Sequence, residues 1–187
     1  MTKEKEKVAL RSRLIDQRNF IYDKESKASI DKKFLESFEE FISEKQPNSV
    51  GLYRNFGSEL DTKMIDHMLR TQNIAVYYPK IQEDKLVFIK SDSREDFTQS
   101  ASGFLEPIGS DEAIPELVLV PALAVDKELF RLGYGKGFYD RFIAKNPNSF
   151  YLCLLLKNFL VKALPQDPWD TKINKVIAIN TSSVNIG

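Results

Sequence analysis

Cysteine, histidine and tryptophan each occur once in 187 residues. A lone thiol, Cys153, can form neither an internal disulfide nor a cysteine-based zinc site. Inside the apolar run from Phe150 to Leu156 it reads as a small buried hydrophobe. His67 falls beside the apolar face of its helix and reads as a surface histidine, leaving no His-based triad or zinc centre. Charge of one sign is also missing: 27 basic and 27 acidic side chains give a formal net charge of +0. That balance offers no basic excess for nucleic acid or an anionic membrane. No run approaches the ~20 apolar residues of a membrane span. The charged start, Met1 to Lys7, leads into no apolar stretch of the kind a signal peptide carries. There is no internal repeat and no low-complexity segment. These absences point to a cytoplasmic protein; a small-molecule partner and a monomeric or weakly dimeric state are also expected.

What is present is an ordinary globular composition, 42% apolar and 29% charged. The length suits one domain, 1–187. Residues 3–22 read as a helix with Leu10, Leu14, Gln17 and Ile21 on one side. Ile30, Phe34, Phe38 and Phe41-Ile42 recur at four-residue steps, predicting a second helix with Asp23 as its N-cap and an end before Pro47. Strands are expected at 49–53, 74–78 (stopped by Pro79), 85–90, 117–120, 150–156 and 175–179. Helices are expected around Ile65, Met68 and Leu69, over 136–145, and briefly over 158–164. Residues 91–116, rich in Ser, Asp, Glu, Gly and Pro, read as a long surface connection with one helical turn. Alternating strands and helices predict an α/β sandwich with a mostly parallel sheet, whose ligands bind at the carboxyl ends of the strands.

The chemistry concentrates in Arg131-Leu132-Gly133-Tyr134-Gly135-Lys136-Gly137-Phe138-Tyr139-Asp140-Arg141. Three of the eight glycines fall here, between a predicted strand and a predicted helix. Backbone N–H groups at such a helix start, with the helix dipole behind them, suit an anion. Lys136 and Arg131 add positive charge, and Asp140 could hold a divalent metal bridging phosphates. The stretch is neither a Walker loop, since Gly137 follows Lys136, nor the dinucleotide fingerprint, whose third glycine is spaced differently.

Together with Val120-Pro121-Ala122-Leu123-Ala124-Val125-Asp126, this stretch resembles the signature of the 5-formyltetrahydrofolate cyclo-ligase family. The resemblance extends to Lys7-x-x-Leu10-Arg11, Glu59-Leu60-Asp61-Thr62 and Asp167-Pro168-Trp169-Asp170. Departures fall at Ala122, Val125, Leu129 (where glycine is usual) and Phe138, none of which removes a charged group.

The resemblance implies a three-layer Rossmann-like sandwich with helices on both faces. It also implies an ATP- and Mg2+-dependent ligase that cyclises 5-formyltetrahydrofolate to 5,10-methenyltetrahydrofolate. In it, Arg131 and Lys136 would act on the transferring phosphoryl. Lys7, Arg11, Leu132, Gly133, Tyr134, Gly135, Gly137, Phe138 and Tyr139 would complete the ATP site. Tyr53, Arg54 and Glu59 would hold the folate, and Asp140 and Asp170 the magnesium. Without the resemblance these residues read more plainly. Lys7 and Arg11 are a solvated charged face. Glu59 is a carboxylate favoured near a helix N-terminus, and Asp167 to Asp170 form a turn. Trp169 suits either stacking on a flat ligand or packing at a rim. A non-catalytic module binding a phosphorylated small molecule would use the same glycine turn without magnesium carboxylates. A sugar-phosphate isomerase or transferase on a related scaffold would turn over without ATP.

Overall fold

The computed structural model describes residues 2–94, 96–100 and 105–181. Helices α1 (Lys3–Lys24) and α2 (Lys27–Lys45) open the chain. On α2 the four-residue repeat works as the sequence predicts, burying Ile30, Phe34, Phe38, Phe41 and Ile42. Its N-cap is Ser26, not Asp23, because α1 continues through Asp23 to Lys24. Gln46, left-handed at φ 48, ends it. Helix α1 buries Lys7, Leu14, Arg18 and Ile21. Spacings of three, four and seven place these on one stripe, so the inward face of α1 carries cations as well as leucine and isoleucine.

The elements that follow are β1 (Ser49–Gly51), α3 (Lys63–Thr71), β2 (Ala75–Gln82), β3 (Lys85–Lys90), β4 (Phe97–Gln99), β5 (Leu105–Pro107) and β6 (Leu117–Leu119). Then come β7 (Ala124–Asp126), β8 (Arg131–Leu132), α4 (Phe138–Lys145), β9 (Phe150–Leu156), β10 (Leu160–Val161) and β11 (Lys175–Ile179). The main sheet runs β11-β9-β6-β1-β2-β3, parallel except for the antiparallel edge strand β3. Six of the seven β9 residues are buried, as expected of a strand covered on both faces. Phe150 packs on Phe41 of α2, and its neighbour Tyr151 on Phe142 of α4. Consecutive strand residues face opposite ways, so α2 and α4 cover opposite faces and the fold has three layers. From β1 the chain builds outward to β2 and β3, then returns to β6 on the other side. The crevice at the carboxyl ends of β1 and β6 is therefore the topological switch point, where open α/β sheets bind ligands.

Several local expectations are corrected. Strand β2 runs through Pro79 to Gln82; beyond Tyr77 its only paired neighbour among the described residues is β3, and such an edge tolerates a residue without an N–H. Among the described residues, the 91–116 connection holds the antiparallel pair β4–β5 rather than a helical turn. The expected 158–164 helix is one 3-10 turn, Lys157–Phe159, followed by β10. The stretch after β6 is not a plain loop either: β7 and β8 form a hairpin that joins β10 in a second sheet. Asp126 closes that hairpin. Its Oδ1 accepts the N–H of Glu128 at 2.9 Å and of Phe130 at 3.0 Å. Its Oδ2 accepts from Leu164 N and Gln166 Nε2, both at 3.2 Å. Leu129 sits in this turn at φ 70, a conformation that suits glycine.

Candidate active site

The glycine turn links β8 to α4. Gly135 (φ 100) and Gly137 (φ 66, the α4 N-cap) take conformations that side chains rarely adopt. A Cβ on Gly135 would meet the Arg11 guanidinium carbon at 3.0 Å, so the turn is moulded around that cation. Arg11 also donates from Nε to the Gly133 carbonyl at 2.9 Å. Arg131 lies beneath, its side chain 4% exposed, with its guanidinium 5.6 Å from the Tyr139 ring centre. One terminal nitrogen approaches Asp140 Oδ1 at 3.2 Å. Neither that nitrogen nor Nε has a hydrogen-bond partner. Buried guanidinium donors normally find acceptors, so two unmet ones suit an anion. Lys136 stands exposed at the tip of the turn.

Two carboxylates flank this turn. Asp140, in the first turn of α4, accepts both the N–H (3.2 Å) and the hydroxyl (3.1 Å) of Thr171. Asp170, the preceding residue, binds the Lys7 ammonium at 2.6 Å, and Asp167 binds it at 2.7 Å. Lys7 is buried here, not solvated. Burial alone would lower its pKa, but the hydrogen bonds and charges of the two aspartates outweigh that and raise it above the ordinary value. Among the described residues no cluster of three or more His, Cys, Asp or Glu side chains could hold a metal unaided. Magnesium on a nucleotide needs only one or two carboxylates beside phosphate oxygens and waters. Thr171 ties Asp140 to the residue after Asp170, and both carboxylates already face cations, Arg131 and Lys7.

Beside the turn, at the switch point, Arg18, Tyr22, Tyr53, Glu59, Leu60, Pro121 and Ala122 help to line a cavity of about 20 Å³. Glu59 is buried, and the Phe56 N–H donates to its Oε2 at 2.7 Å. It lies before α3, whose N-cap is Thr62, so it is not the helix-terminus carboxylate that the sequence suggests. Burial raises the Glu59 pKa, opposed by the Phe56 N–H, Arg18 and the Tyr134 hydroxyl. Tyr53 is pushed up, first by burial and next by Glu59.

The chain matches the model of the 5-formyltetrahydrofolate cyclo-ligase family over residues 3–179. It belongs to that family. Cyclo-ligases are enzymes of the ligase class. A probable 5-formyltetrahydrofolate cyclo-ligase of Schizosaccharomyces pombe is 30% identical over 157 residues, covering 71% of this chain and 76% of the relative. The Haemophilus influenzae 5-formyltetrahydrofolate cyclo-ligase is 28% identical over 146 residues, covering 73% and 78%. The solved 5,10-methenyltetrahydrofolate synthetase of Aquifex aeolicus superposes with a TM-score of 0.78 at 22% identity, over 95% of this chain and 90% of that one. That of Mycoplasma pneumoniae gives 0.72 at 22%, over 91% and 97%. These two structures show that the fold is shared.

Among the residues singled out from sequence, the cyclo-ligase fold gathers Lys7, Arg11, Arg131, Gly133 to Gly137, Asp140 and Asp170 around one turn. Tyr53 and Glu59 meet in the neighbouring cavity. Arg54 does not join them. It donates to the Arg94 carbonyl at 2.8 Å and stacks 4.3 Å from the Phe97 ring centre. Trp169 is 70% exposed beside the Lys7 carboxylates. Arg18 escapes the sequence reading, and Asp167 reads there only as part of a turn. Arg18 lies seven residues after Arg11, on the same helical stripe, and that spacing is the signal that could have found it. As for membranes, no helix among the described residues is long and apolar enough to cross one.

Proposed function

We propose that this protein catalyses the ATP- and magnesium-dependent cyclisation of 5-formyltetrahydrofolate to 5,10-methenyltetrahydrofolate, releasing ADP and phosphate. The observation that carries the nucleotide half is the buried Arg131 guanidinium, with two unmet donors beneath a glycine turn at a helix start. Arg131 and Lys136 neutralise the γ-phosphoryl as it passes to the formyl oxygen. That oxygen then leaves as phosphate when the nitrogen at position 10 attacks the formyl carbon. The protein's part is chiefly placement and charge neutralisation. Arg11 and Lys7 border the phosphates, and Gly133, Gly135 and Gly137 let the backbone approach. Asp140 and Asp170 would hold magnesium, which offsets phosphate charge when bound. Glu59 accepts from the paired N–H donors of the pterin edge, with Tyr53 beside it.

Formation of methenyl product, followed by absorbance with 5-formyltetrahydrofolate and magnesium-ATP, tests the reading; a folded preparation giving no product overturns it. Lys136→Ala should cut turnover by at least ~10²-fold, the scale of one preorganised charge in a transition state. Near-normal turnover in that variant would remove Lys136 from the mechanism.

A further inference from the structure

Arg18 is the one buried cation of α1 that the proposed reaction does not use. Its Nε donates to Ser58 Oγ at 2.9 Å, one terminal nitrogen to the Ala122 carbonyl at 3.3 Å, and the other to the Tyr134 hydroxyl at 2.7 Å. These acceptors come from the loop after β1, the loop after β6 and the glycine turn. Among the described residues no carboxylate lies within ion-pair distance of Arg18, although it is 6% exposed. Arg18 feels the Glu59 charge without a direct ion pair to it, so burying its guanidinium as a purely structural bolt is an expensive choice.

The cavity that Arg18 walls has about 20 Å³, room for roughly one water, whereas small-molecule sites occupy ~300 Å³ or more. A folate-sized ligand therefore needs the wall to move. Tyr53, Phe34, Leu154, Leu155 and Leu156 are wall members fixed in the core. Arg18 differs, because one of its tethers, the Tyr134 hydroxyl, which also hydrogen-bonds Glu59, belongs to a residue 41% exposed on the glycine turn.

We propose that Arg18 and Tyr134 are positioning residues that couple the two binding sites: a nucleotide on the glycine turn draws Tyr134 off Arg18, which frees Arg18 to move and opens the cavity at Glu59. The inference rests on the reading of function above. Coupling of this kind is reciprocal, so substrate must tighten nucleotide binding by the same factor.

Calorimetric titration of 5-formyltetrahydrofolate, with and without a magnesium-bound non-hydrolysable ATP analogue, tests it on wild type, Tyr134→Phe and Arg18→Lys. In wild type the analogue should tighten substrate binding at least ~5-fold, the lower end of usual couplings. Tyr134→Phe keeps the ring and removes the Arg18 acceptor together with the hydrogen bond to Glu59. Its nucleotide-free affinity should rise toward the nucleotide-bound value, and the coupling factor should fall below ~2. Arg18→Lys cannot span the same acceptors and should show the same collapse. Wild-type coupling retained in Tyr134→Phe, a wild type with no coupling, or a variant weakened only toward the nucleotide each overturns the inference. Methenyl formation by the same wild-type preparation separates the two levels. Its absence overturns the functional reading and the coupling with it, whereas product with unaltered coupling in Tyr134→Phe overturns the coupling alone.

Discussion

Replacing Lys7 with alanine tests how the first helix is held. Exposed charges near a chain terminus usually contribute little, and sequence alone would predict an unchanged melting temperature for such a variant. The structure predicts otherwise. The Lys7 side chain is 7% exposed, and its two partners, Asp167 and Asp170, are 18% and 16% exposed. Asp170 Oδ2 also accepts the Asp167 N–H at 2.8 Å, so the carboxylates are locked close together. Removing the ammonium leaves two neighbouring negative charges without their shared counter-ion. Breaking a fully buried pair costs ~3–5 kcal/mol and a surface pair ~0–1. With the carboxylates partly wet, the expected loss is about 2 kcal/mol. For a chain of this size that lowers Tm by about 4–8 °C. Asp170→Asn added to Lys7→Ala should recover part of the loss, because it removes the repulsion; the double variant then falls short of the sum of the singles. The pH dependence has a definite sign. The folded Lys7 pKa is raised above the ordinary 10.5, so its contribution is complete below 10.5 and disappears as pH rises through the higher folded value. Urea denaturation followed by far-ultraviolet circular dichroism reads all of this. An unchanged midpoint in Lys7→Ala, or strict additivity with Asp170→Asn, would refute the reasoning.

Asp31 is buried on α2 with Oδ1 unpartnered, and burial raises its pKa from 3.8 to about 6 against the opposing Lys27 charge and Asp61 N–H. The folded state holds that proton more tightly, so stability falls as pH rises from 3.8 through about 6; Asp31→Asn should gain about 1–2 kcal/mol at neutral pH and nothing below 3.8, and an equal gain at both would exclude the titration. Gly135→Ala combines φ 100 with a Cβ 3.0 Å from the Arg11 guanidinium, and should cost about 1–3 kcal/mol together with ~10-fold in ATP affinity. Gly57→Ala, at φ 58 with nothing within 4 Å, supplies the strain-only control, and calorimetry showing equal ATP affinity in the two variants would count against a phosphate site at Gly135. Leu129→Gly relieves about 1–2 kcal/mol of left-handed strain while losing a comparable amount of half-buried leucine contact, so its urea midpoint should stay near wild type; a loss above about 2 kcal/mol would show that the packing outweighs the strain.

The parts of the fold that could be read in advance are those where one period dominates. Phe34, Phe38 and Phe41-Ile42 had a single helical face to occupy, and Phe150 to Leu156 a single strand buried on both sides. The glycine turn was legible because Gly135 and Gly137 adopt angles that few other residues reach. Elsewhere the deciding contacts lie far apart in the chain. Lys7 meets Asp170 across 163 residues and Arg18 meets Tyr134 across 116, so helical spacing can show which stripe these cations share but not that the stripe is buried. The β7–β8 hairpin depends on Asp126, whose partners include Leu164 and Gln166. Pro79 stays in its strand only because β1 stops pairing at Tyr77, which is a property of the sheet.

The same remoteness explains why α1 can serve both halves of the site. Lys7, Arg11 and Arg18 lie within twelve residues of one helix, about 16 Å from first to last at 1.5 Å per residue. Their partners at successive heights are the Asp167–Asp170 turn, the Gly133 carbonyl, and the group of Ser58, Ala122 and Tyr134. A rigid helix cannot slide at one height without disturbing the other two. Lys7 and Arg11 border the proposed phosphate position, while Arg18 walls the cavity at Glu59.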